Sequence, residues 1–131
     1  MDKKKILVVE DEKAISDILV FNLQREGYDT LAAYDGAEGL RCALEEAPDL
    51  ILLDVMLPEM DGFEVCQRLK ADKATEGIPV IFLSVMESPG QKHRGFEVGG
   101  VDYVTKPFHA DEVLARVRTH ITNKRLREEL E

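Results

Sequence analysis

The chain reads as an α/β protein built on one doubly wound parallel sheet of five strands. Three observations lead there. Short β-rich runs alternate five times with longer segments of helical periodicity, which implies parallel strands joined by crossover helices. The first and third runs are almost wholly apolar, as strands are when helices cover both faces of their sheet. Four runs end at chemically capable side chains: Ile6 to Val9 at Glu10 and Asp11, Leu50 to Leu53 at Asp54, Val80 to Leu83 at Ser84, and Val101 to Thr105 at Lys106. In a parallel sheet these carboxyl ends share one edge, and that edge is where ligands bind.

Taken in order, strands are expected at 5–9, 29–33, 50–54, 79–84 and 101–105, and helices near 13–26, 36–47, 62–73, 88–98 and from 110 to the end. The first helix is expected to bury Ile15, Ile18, Leu19 and Leu23, and the second Ala37, Leu40, Leu44 and Ala47; each set follows helical spacing. Gly27 suits a left-handed cap after the first helix. Pro48 and Pro79 precede strands, where a helix must already have stopped. Gly99 and Gly100 close the fourth helix. Right-handed crossovers favour the strand order 2-1-3-4-5 for five strands of this kind. The last helix carries a core stripe of Leu114, Val117 and Ile121.

At 131 residues, 44% apolar and 33% charged, the composition fits one globular domain with a real core. A net charge of −9 argues against nucleic-acid binding by this domain itself, since phosphate backbones attract clustered Lys and Arg. No apolar run approaches the ~18 residues that span a bilayer. The Lys3–Lys5 cluster precedes too short an apolar run for a secretion signal. Cys42 and Cys66, 24 apart, read as free thiols in a reducing cytoplasm.

Three carboxylates converging on one pocket repel unless a cation or proton intervenes. A metal ion between Glu10, Asp11 and Asp54, with Lys106 facing an anion, is the simplest stable arrangement. Glu12 reads as an N-terminal capping residue of the first helix. His93, His109 and His120 lack metal-ligand spacing and read as surface histidines.

Four strings, in this order and at these strand ends, resemble the receiver domain of two-component response regulators: Ile6 to Glu12, Leu53 to Gly62, Ser84, and Asp102 to Phe108. The resemblance covers residues 4 to about 122 and implies a flavodoxin-like (βα)5 fold. It implies that Asp54 accepts a phosphoryl group from a sensor histidine kinase or phosphotransfer protein. Glu10, Asp11, Asp54 and the backbone carbonyl of Met56 would hold Mg²⁺, and Lys106 and Ser84 would contact phosphate oxygens. Ser84 and Tyr103 would form the switch, Tyr103 swinging inward to remodel the face of the fourth helix, fifth strand and fifth helix. Pro107 makes the preceding peptide a candidate cis bond. Such a protein is a phosphoacceptor with slow self-hydrolysis rather than a turnover enzyme.

Two positions depart from the family. Val85 stands where alanine is usual and should narrow access to the phosphate. His109 is a poorer N-cap than Asp, Ser or Asn, with Asp111 and Glu112 in the first turn compensating. Met56, Val85 and Met86 should make the pocket mouth apolar, which predicts a long-lived phosphoprotein. A dehalogenase-type phosphohydrolase would need its acid pair differently placed. A flavodoxin-type cofactor module would not put two acids where a phosphate must sit. Residues 1–122 are thus read as the domain and 123–131 as a helical extension. Leu126 and Leu130 follow the core stripe at steps of five and four, so they turn off the sheet. A solvated helix end, a linker to an output domain and pairing with a second copy all fit this tail.

Overall fold

The computed structural model describes residues 3–85 and 89–130. Its elements are β1 (Lys5–Val9), α1 (Lys13–Arg25), β2 (Asp29–Ala33), α2 (Gly36–Glu46), β3 (Leu50–Asp54), α3 (Gly62–Ala71), β4 (Val80–Ser84), α4 (Pro89–Glu97), β5 (Asp102–Thr105) and α5 (Ala110–Leu130). The five strands are parallel and ordered β2-β1-β3-β4-β5, as the alternation predicts. Boundaries fall within one or two residues of expectation.

The two-residue period of the strands divides one continuous apolar run between two cores. Leu7, Val9, Ile51, Leu53, Val80, Phe82 and Tyr103 face the side covered by α2 and α3. Ile6, Val8, Leu50, Leu52, Ile81, Leu83 and Val104 face α1 and α5. Register then aligns the functional edge: Val9 pairs with Leu53, Asp54 with Leu83 and Ser84 with Thr105.

The helix stripes need correction. In α1 the buried residues are Ser16, Leu19 and Leu23, while Ile18 is 55% exposed. In α2 the buried face is Gly36, Gly39 and Ala43; Ala37, Leu44 and Ala47 lie outside it. The physical reason is close approach. A Cβ on Gly39 would stand 3.0 Å from the Val9 side chain, so α2 lies almost on the sheet through its smallest residues, and hydrophobicity alone points to the wrong face. In α5, Val113 joins Leu114 and Val117 in the core and Ile121 packs at its margin.

Caps fix the helices that begin at the functional edge. Asp35 Oδ1 accepts the Glu38 N–H at 2.8 Å, and Asp61 Oδ1 accepts that of Glu64 at 2.9 Å. Gly27 is left-handed with φ 95°, as expected after α1. Glu12 stands at the α1 N-cap position, but its side chain makes no cap bond. His109 contributes its backbone carbonyl, which accepts from Glu112 and Val113 at the start of α5.

Candidate functional site

The site begins where β1 stops. Glu10 is fully buried: Oε2 accepts the Glu12 N–H at 3.0 Å and Oε1 lies 2.6 Å from Lys106 Nζ. The backbone amide at the start of α1 thus anchors Glu10. Asp11, next along, is exposed.

Asp54 ends β3 and is 2% exposed. Its Oδ1 accepts the Met56 N–H at 3.1 Å and its Oδ2 lies 3.1 Å from Lys106 Nζ. The chain then turns tightly: Leu57 N–H and Gly62 N–H both reach the Val55 carbonyl. A Cβ on Gly62 would run into the Asp54 carbonyl oxygen, so only glycine lets α3 start this close to the strand. Lys106 follows β5, its side chain 8% exposed, and the Lys106–Pro107 peptide is cis.

Ligand oxygens of Glu10, Asp11 and Asp54 lie within 4.8 Å of one another. Clustered hard oxygen donors suit Mg²⁺ or a similar cation. One ammonium serves two buried carboxylates, and the charge account is uneven. Burial pushes the Glu10 carboxyl up to about 7, against the downward pull of Lys106 and the Glu12 N–H. For Lys106, burial works downward, but the hydrogen bond to Glu10 and the Asp54 charge outweigh it and hold the ammonium above its usual range.

The other expected residues frame this centre. Ser84 is fully buried at the end of β4, one register step from Asp54. Tyr103 is 7% exposed and already packs inward, its ring 6.4 Å from that of Phe82. Val85 is exposed and lines an apolar groove of about 350 Å³ with Ile15, Ile18, Lys106, Pro107 and Phe108. Met56 is exposed beside the site, and Met86 lies outside the described residues.

One cluster was not foreseen. The Asp102 carboxylate accepts from Arg116 Nη1 at 2.7 Å and lies 3.0 Å from His120 Nε2. Burial raises the Asp102 carboxyl, but these partners and the Tyr103 N–H outweigh it and leave the group below the usual carboxylate range. His120 is thus a packed partner of β5 rather than a surface residue. The signal was present in the sequence: Arg116 and His120 are four apart and share one helix face.

The α5 extension carries Leu126 (46% exposed) and Leu130 (88% exposed), off the core stripe as its spacing predicts. Ion pairs Lys124–Glu128 and Arg125–Glu129 run along it. No helix among the described residues is long and apolar enough to cross a membrane.

Comparison with known proteins agrees with this geometry. Residues 6–118 match the family model described as response regulator receiver domain. The DNA-binding dual master transcriptional regulator RpaA of a Synechocystis strain is 49% identical over 114 residues, covering 87% of this chain and 47% of that protein. The chain therefore spans about half the length of that relative. Among solved structures, the receiver domain of Francisella response regulator 1452 is 34% identical with a TM-score of 0.87, covering 92% of this chain and 98% of that one. A CheY-like receiver domain protein from Methanospirillum hungatei JF-1 is 28% identical with a TM-score of 0.89, covering 96% and 99%.

Proposed function

Because the chain belongs to the response regulator receiver family of two-component signal transduction, we propose that Asp54 is its phosphoacceptor and that a sensor histidine kinase or phosphotransfer protein is the donor. One observation carries the reading above others: a nearly buried Asp54 carboxylate held at 3.1 Å from a buried lysine, beside two further acids. Buried carboxylates are costly unless neutralised, and this grouping has the composition needed to receive a transferred anion. Glu10, Asp11, Asp54 and the Met56 carbonyl would hold Mg²⁺, which supplies charge neutralisation when bound. Lys106 would meet a phosphate oxygen by leaving one of its two carboxylates, and the Ser84 hydroxyl would turn to another at the adjacent strand end. The protein's own contribution is positioning and electrostatics.

A phosphohistidine donor must cover the rim of this pocket. The apolar groove of Ile15, Ile18, Val85, Pro107 and Phe108 abuts Lys106 and is the surface available to a donor helix. Modification at Asp54 is then read out on α4, β5 and α5, where an output domain or second copy would respond. The extension at 123–131 leads to that partner. The relative RpaA is a DNA-binding regulator, which makes transcriptional output the first to examine.

The test is direct. The chain, incubated with a small acyl-phosphate donor and Mg²⁺, gains one phosphoryl group by intact mass; Asp54→Asn gains none. Labelling that persists in Asp54→Asn refutes the assignment.

A further inference from the structure

α4 is lightly anchored. Gly95 is its only buried residue, and Phe96 faces out, half exposed. Its polar pair His93–Glu97 is internal to the helix. Gly95 and Arg94 both rest on aromatic rings of the domain. Gly95 lies close on Phe82 and Tyr103: a Cβ there would stand 3.1 Å and 3.4 Å from those rings. Beside it, the Arg94 guanidinium sits 4.8 Å over the face of Phe63 and forms no ion pair among the described residues.

Phe63 is not a neutral platform. It follows Gly62, whose N–H is bonded to the Val55 carbonyl and which lies directly against the Asp54 carbonyl. Its ring packs edge-on against Phe82 at 5.1 Å. A shift of the β3–α3 loop therefore moves Phe63, and whatever rests on its face moves or detaches.

We propose that Arg94 is a positioning residue, a latch that ties α4 to the β3–α3 loop through the face of Phe63. The latch itself follows from the contacts. Its use as a sensor of modification rests on Asp54 being the phosphoacceptor. A partly exposed cation–π contact corresponds to roughly a 2- to 5-fold change in a local equilibrium, so the latch biases α4 between seated and released states without fixing it in either.

Hydrogen exchange on the full chain tests this. In Arg94→Gln, which keeps the stem but loses the cation, amides of 90–98 exchange about 2- to 5-fold faster, while those of β1 and β3 are unchanged. Arg94→Lys retains part of the protection. In a double-mutant cycle with Phe63→Leu, which removes the π-face, Arg94→Gln adds no further acceleration. In the wild type, acyl phosphate with Mg²⁺ alters exchange of α4, and Arg94→Gln blunts that response. Unchanged α4 exchange in Arg94→Gln overturns the latch, as does full additivity in the cycle. An undiminished response to phosphorylation in Arg94→Gln overturns its sensing role. If the wild type accepts no phosphoryl group, the functional reading fails instead, and the unmodified exchange comparison still decides the latch.

Discussion

Glu10→Gln should make the metal-free protein more stable at pH 8, although it removes an ion pair. Glu10 is fully buried and shares the Lys106 ammonium with Asp54. Its carboxyl titrates near 7 in the fold against 4.5 when exposed, mainly because burial penalises the charge. The folded state therefore holds this proton more tightly than the unfolded state. The stabilisation is fully present below about pH 4.5 and is lost as pH rises through about 7. A displacement of that size corresponds to at most about 3 kcal/mol, or roughly 10 °C in melting temperature for a domain of this size. Glutamine keeps one oxygen for Lys106 and turns its amide nitrogen toward the Glu12 N–H, so it gives up one hydrogen bond, roughly 1 kcal/mol, less than the charge penalty it removes; the one remaining buried carboxylate then matches one ammonium. Melting curves by circular dichroism, in chelator, should show wild-type stability falling relative to Glu10→Gln between pH 5 and 8. In Mg²⁺ the order should reverse, because the wild type retains one more anionic ligand. Parallel pH profiles, or a variant less stable than wild type at pH 8 in chelator, would refute the reasoning.

Further expectations concern the groove, a strained cap and the tail. Ile18→Glu should leave labelling by a small acyl phosphate intact yet slow transfer from a cognate kinase at least tenfold; equal loss with both donors would show that it damages the pocket rather than docking. Ala47, left-handed at φ 46° after α2, should gain about 1 kcal/mol on replacement by glycine, read as a raised urea midpoint at unchanged slope. Removing 123–131 should cost under about 1 kcal/mol, because core packing ends at Ile121 and exposed ion pairs contribute little. If the tail pairs two copies, Leu126→Glu with Leu130→Glu should weaken dimers seen by light scattering; a monomer at high concentration before and after phosphorylation removes the pairing version and leaves the linker.

Strand positions, strand order and the edge on which the acids and Lys106 gather were legible in the linear sequence. Apolar runs ended by turn residues carry that information locally, and right-handed crossovers leave little topological freedom. That Glu10, Asp11, Asp54 and Lys106 share one edge was legible for the same reason: each stands where an apolar strand run ends. What packing decided was of another kind. The buried face of α2 depends on how closely Gly39 can approach Val9. Whether Glu10 is a solvated acid or a buried partner of Lys106 depends on two residues 96 apart in sequence meeting at 2.6 Å. His120 finds Asp102 only because α5 packs back along its own preceding strand, and Arg94 finds Phe63 only because α4 lies beside α3. Periodicity records which side of an element is apolar. Distances between elements, and the charge states those distances impose, exist only once the two cores have closed around the sheet.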